Sequence, residues 1–167
     1  MSQTHAAARA AGHTQPERLV RLRGASIGVV VMLIIQFILG MIYNLYGTAP
    51  TSTKSVGLFS SPTIALHVIV GILLGLAAIA QLVRAIGSRH SPTIWLSALG
   101  LLSIIGAGFA GLGFAGSGAA GASLGMSLAF AVALACYVAL IVVLPSAASP
   151  VPGASRAAAD GRRSSTT

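Results

Sequence analysis

Acidic residues are almost missing: Glu17 and Asp160 are the two carboxylates in 167 residues, and both lie outside the long apolar runs. Without a carboxylate in an apolar run, the chain has no acid there to relay protons, hold a metal cation or act as a general base. Carboxylate-driven pumping and ion-coupled transport by this chain alone are thereby disfavoured. Cysteine is nearly absent as well. Cys136 stands alone inside an apolar run, which excludes an intrachain disulfide and any CxxC motif and reads as a small buried apolar side chain. Charge of either sign is scarce, 7% of residues against about 25% in soluble domains. Also missing are a glycine-rich phosphate loop joined to a strand, a cluster of His and acidic residues, and a basic surface interleaved with aromatics, so no nucleic-acid partner is expected.

What is abundant is apolar length. Hydrophobic residues make up 55% of the chain, and four runs reach the roughly 20 residues of helix that cross a hydrocarbon core about 30 Å thick. They cover about 24–45, 63–83, 93–113 and 122–144, with no Asp, Glu, Lys or Arg inside. The first run is longer than the roughly 7–15 residues of a signal-peptide core, so it reads as a retained signal anchor. The expected fold class is all-α: a polytopic membrane protein with four transmembrane helices in an up-down bundle. Residues 1–23 and 145–167, poor in apolar periodicity, are expected as disordered tails.

Cations fix the expected orientation, because cytoplasmic loops collect Lys and Arg. Arg9, Arg18, Arg21 and Arg23 precede the first run, Arg84 and Arg89 separate the second from the third, and Arg156, Arg162 and Arg163 follow the fourth. Lys54 alone falls on the other side. Both termini are therefore expected in the cytoplasm, leaving 46–62 and 114–121 as the external loops. Arginine over lysine, with abundant Ala and Gly, is the bias of a GC-rich genome, which points to a multi-pass protein of a bacterial plasma membrane. Tyr43, Tyr46 and Trp95 sit at run ends, where amphipathic rings favour the headgroup level. Ser61-Pro62-Thr63-Ile64 and Ser91-Pro92-Thr93-Ile94 repeat one tetrapeptide, with serine as N-cap and proline first in the helix.

Helices in lipid associate through close backbone approach and interhelical hydrogen bonds. Small residues at four-residue spacing occur at Gly24 and Gly28, Gly71 and Gly75, Gly106 and Ala110, and Gly121 and Gly125. The glycine-rich stretch 106–125 admits a tight outer turn or a short unwound segment. In the run Gln36-Phe-Ile-Leu-Gly-Met-Ile-Tyr-Asn44, the residues Gln36, Gly40 and Asn44 share a stripe expected to face other helices, with the amides as fasteners. Gln81 is expected to act in the same way on the second run.

One histidine, His67, lies within the runs, on a face shared with Gly71 and Gln81. Met41, Asn44, His67 and Met126 fall in the outer half of the expected membrane, which makes them the candidate residues for a haem or quinone site. Gly121-Ala-Ser123-Leu-Gly125 fits the G-x-S-x-G pattern of serine hydrolases, but a segment built from Gly, Ala and Ser produces that match by composition, and the strand-to-helix context is missing.

The order QFxLGM with Asn in the first run, His-x-x-x-Gly opening the second, and glycine-rich third and fourth runs resembles small four-helix bacterial integral membrane proteins. The His-x-x-x-Gly start is also similar to membrane haem proteins of the cytochrome b561 and haem A synthase type. That second resemblance implies haem ligation by His67, although the paired second histidines of those proteins have no counterpart here. The leading expectation is a non-enzymatic membrane protein that works through helix packing with other membrane subunits or with copies of itself, in contact with the lipid bilayer. A redox or sensory subunit using His67 is the alternative, and an oligomeric channel lined by Gln36, Asn44 and Gln81 is the third.

Overall fold

The computed structural model describes residues 15–144, in which four helices run in order: α1 (Gln15–Tyr46), α2 (Pro62–Ser88), α3 (Ser91–Ser117) and α4 (Ala120–Val143). All four are long and apolar enough to cross a membrane. They form an up-down bundle in which each helix packs on its neighbour in sequence and α4 closes the ring on α1, while the diagonal pairs α1/α3 and α2/α4 make no close backbone contact. One end of the bundle carries the start of α1, the end of α4 and the α2–α3 corner, here the terminus end. The other carries the loop 47–61 and the α3–α4 corner, here the loop end.

Helix boundaries correct the expectation in two places. Residues 15–23, expected in a disordered tail, are the first turns of α1, which brings Arg18, Arg21 and Arg23 onto the helix. Positions 1–14 and 145–167 of the expected tails lie outside the described residues. The second external loop shrinks from 114–121 to the two residues Gly118 and Ala119, and the glycine-rich stretch is helical on both sides of them. Backbone bonds closed within each helix explain this. In lipid no water satisfies a free N–H or C=O, so glycine-rich sequence stays helical where a soluble protein would let it unwind.

The repeated tetrapeptide also behaves differently at its two sites. Ser61 is the N-cap of α2 and its hydroxyl accepts from Ile64 N–H at 3.3 Å. Before α3 the cap position belongs to His90, whose Nδ1 lies 2.9 Å from Thr93 Oγ1, and Ser91 is already helical. The α2–α3 corner consists of Arg89 and His90 alone, so the chain re-enters helix one residue earlier than the Ser-Pro pattern implies.

Buried side chains concentrate at the terminus end and along the α1–α2 seam, whereas the most extensive backbone approach is between α3 and α4. On α1 the seam positions are Leu22, Ser26, Val29, Leu33, Gln36 and Gly40; on α2 they are His67, Gly71, Leu74, Ala78, Gln81 and Ala85. Their spacing alternates mainly between four and three residues, which keeps one stripe on the partner helix at the shallow left-handed crossing common in membrane bundles. Tyr137, Leu140 and Leu144 complete the core with Leu22 and Ala85. Outward-facing residues are apolar instead, among them Ile34, Ile38, Ile72, Leu76, Leu102 and Leu128, as expected of a surface solvated by acyl chains.

The loop end is strapped rather than open. Thr51 and Lys54 exchange backbone bonds of 3.0 and 3.2 Å in a tight turn, Tyr43 Oη donates to Thr48 O at 2.6 Å, and Val56 N–H donates to Ala115 O on α3 at 2.9 Å. Buried Pro50 packs by its carbonyl against Gly118. The loop thus runs from α1 across to the α3–α4 corner before entering α2.

Candidate functional site

Two helices with polar side chains in a seam must pair them with each other, because lipid offers no hydrogen bonds. Gln36 and His67 meet this demand together: Gln36 Nε2 lies 3.0 Å from His67 Nε2. The amide donates when the ring carries its proton on Nδ1. Each side chain is accommodated by a glycine on the opposite helix. A Cβ at Gly40 would stand 3.4 Å from His67 Cε1, and one at Gly71 would stand 3.1 Å from Gln36 Nε2. The pairs Gln36/Gly40 and His67/Gly71 therefore interlock, polar group over glycine in both directions.

A second polar layer closes the other end of the same seam. Gln81 Nε2 donates to Leu22 O at 3.1 Å and to Ser26 Oγ at 2.8 Å, while Ser26 Oγ donates to Leu22 O at 3.0 Å. Between the layers lie Val29, Leu33, Leu74 and Ala78, all buried. The seam of a single chain is therefore polar, apolar, polar rather than one continuous hydrophilic path.

Other candidate residues separate from this interlock. Asn44 is exposed, not turned toward a neighbouring helix as its stripe implied, and Met41 is also exposed on α1. Met126 packs between α3 and α4, where a Cβ at Gly111 would stand 3.5 Å from its sulfur. Of the proposed set, His67 lies in the α1–α2 seam and Met126 in the α3–α4 seam. Among the packing glycines, Gly125 approaches Ala110 across α3–α4, a Cβ there standing 3.8 Å from that methyl. Gly75 and Gly121, and with them Gly24, Gly28 and Gly106, have nothing within 4 Å of where a side chain would begin. These five are corrections to the expected packing within the chain.

Above the interlock, toward the loop end, a cavity of about 410 Å³ is lined by Ile42, Tyr43, Lys54, Ser60, Ser61 and Thr63, among others. Tyr43 and Thr63 are each one turn from Gly40 and His67. Sequence reading missed Ser26, Thr93, Ser97, Gly100 and Tyr137, all buried at the terminus end. For Thr93, Ser97 and Gly100 the signal was their four-then-three spacing, a heptad stripe of small residues that four-residue spacing alone passes over. Searches with family models and against curated proteins and solved structures returned no match to this chain.

Proposed function

We propose that this is a non-enzymatic multi-pass protein of a bacterial plasma membrane, with both termini in the cytoplasm, that acts as an accessory or scaffolding subunit through helix packing. One observation carries the reading. Gln36, His67 and the Gln81 amide nitrogen bond across the α1–α2 seam, whereas Gly24 and Gly28 on the outside of α1 face open space. A small pair at four-residue spacing on a lipid-facing helix is the surface that lets another helix approach closely.

The test exploits that open space. A Cβ at Gly28 meets nothing within 4 Å among the described residues, so Gly28→Leu is expected to leave the melting temperature of the purified protein unchanged. In mild detergent the wild-type chain is expected to migrate with a partner subunit or a second copy, and Gly28→Leu to release it as a monomer. A wild-type chain that is strictly monomeric and free of partners overturns the proposal.

A second reading, a redox or sensory subunit contacting haem or quinone through His67, is favoured by a specific observation. His67 Nδ1 and Gln36 Oε1 are buried without a hydrogen-bond partner among the described residues. On this reading a ligand bonds to these atoms within the α1–α2 seam, or haem iron takes a ring nitrogen. For haem, the expected result is a Soret band after haem-sufficient expression, lost in His67→Ala. A protein without the band returns the interlock to a purely structural role with respect to haem.

A further inference from the structure

Four side chains at the terminus end carry a buried polar atom with no hydrogen-bond partner among the described residues, Arg23 Nε, Gln81 Oε1, Ser97 Oγ and Tyr137 Oη, and the last three belong to fully buried residues. Those three residues are 0% exposed, and they come from three different helices, α2, α3 and α4. Orphaned polar atoms at this depth are costly, since neither lipid nor bulk water reaches them.

Register brings them to one level. Gln81 lies seven residues before the end of α2 at Ser88, and Ser97 lies six after the start of α3 at Ser91. With only Arg89 and His90 between these helices, both side chains stand about 10 Å from the same corner. Tyr137 lies across Gly100, one turn further along the Thr93–Ser97–Gly100 face. A Cβ at Gly100 would stand 3.1 Å from Cζ, the ring carbon that bears the hydroxyl. From the opposite side, Leu22 O and Ser26 Oγ hold Gln81 Nε2, so the amide oxygen is the part of Gln81 left for another partner.

We propose that Gln81 Oε1, Ser97 Oγ and Tyr137 Oη line a single internal hydration site whose ligand is water. The chemistry of the set selects it. Gln81 Oε1 only accepts, whereas the two hydroxyls both donate and accept. A water molecule that donates to Gln81 Oε1 and accepts from Ser97 Oγ–H and Tyr137 Oη–H satisfies all three groups and makes about three bonds, the usual number for a buried water. A metal cation finds no carboxylate there and would leave the hydroxyl hydrogens without acceptors.

Water-edited solid-state NMR of the full chain in lipid bilayers tests this directly. Polarisation from water is expected to reach Tyr137 Cζ and Gln81 Cδ faster than the side chains of Val29 and Leu33 in the apolar layer. The fast transfer to Tyr137 is expected to be lost in Gln81→Met, which keeps volume and removes the acceptor, and in Ser97→Ala should the first variant not fold. Transfer to Tyr137 and Gln81 as slow as to Leu33 overturns the site. So does fast transfer to Tyr137 that survives a folded Gln81→Met, or a wild-type signal that depends on sodium rather than choline as the salt.

Discussion

Gly118→Val is expected to unfasten the loop end and to destabilise the protein strongly. Gly118 adopts φ +65° and closes α3, its N–H donating to Phe114 O at 2.7 Å. A residue with a Cβ pays about 1–2 kcal/mol for this left-handed conformation, and a β-branched one more. Space adds a second penalty. A Cβ there would contact the Pro50 carbonyl oxygen, 2.9 Å from its carbon and 3.4 Å from Thr51 Cα, which are backbone atoms that cannot swing aside. Overpacking of this kind costs about 1–3 kcal/mol more. Because Pro50 leads into the Thr51–Lys54 turn and Val56 is tied to Ala115, displacing Pro50 is expected to loosen the whole 47–61 strap. Limited proteolysis should then cut within that loop in the variant and not in the wild type. Gly118→Asn separates the two penalties: asparagine tolerates the backbone angle but still carries a Cβ, so it is expected to recover only the smaller part. A valine variant with wild-type melting and protection would sink the idea that Gly118 is the hinge pin of the strap.

The four spans were legible because hydrocarbon thickness sets a length that composition alone reveals. Finer placement depended on which helical repeat the seam follows. Steps of four residues drift about 40° each on a helix, so a stripe through Gln36 and Gly40 leaves the seam by Asn44, and the next seam position is Tyr43. The same drift explains why Gly71 packs while Gly75 does not: on α2 the seam steps from 71 to Leu74. That Gln36 would meet His67 was hidden for another reason. It depends on the register of α1 against α2, which the conformation of the loop 47–61 helps to set, and no local pattern encodes it. That loop is pinned at Pro50 by Gly118 and at Val56 by Ala115, long-range contacts between residues about sixty to seventy positions apart.

Gly100→Leu is expected to force α3 and α4 apart, with a loss of the order of 3 kcal/mol or more from overpacking and the displaced aromatic ring. Even the first carbon of a side chain meets Tyr137 Cε2 at 2.8 Å and Cys136 Cβ at 3.4 Å. Tyr137 is fully buried and stands with Leu140 and Leu144 in the core, so its ring cannot swing out to the surface without disturbing them. Gly106→Leu is the matched control, since Gly106 is on the same helix and meets nothing within 4 Å. The control is expected to stay near wild type, because its side chain extends into lipid and a glycine inside a helix is intrinsically unfavourable to begin with. Unfolding in lipid-detergent mixtures, followed by circular dichroism, measures both. The cause is separable from a general intolerance of leucine at position 100. Tyr137→Phe leaves Cε2 in place and is expected not to rescue Gly100→Ala, whereas Tyr137→Leu removes the ring edge and is expected to restore much of what Gly100→Ala loses. Equal destabilisation by Gly100→Leu and Gly106→Leu would mean that the approach of α3 to α4 rests on the glycine content of the helix rather than on this one ring-over-glycine contact.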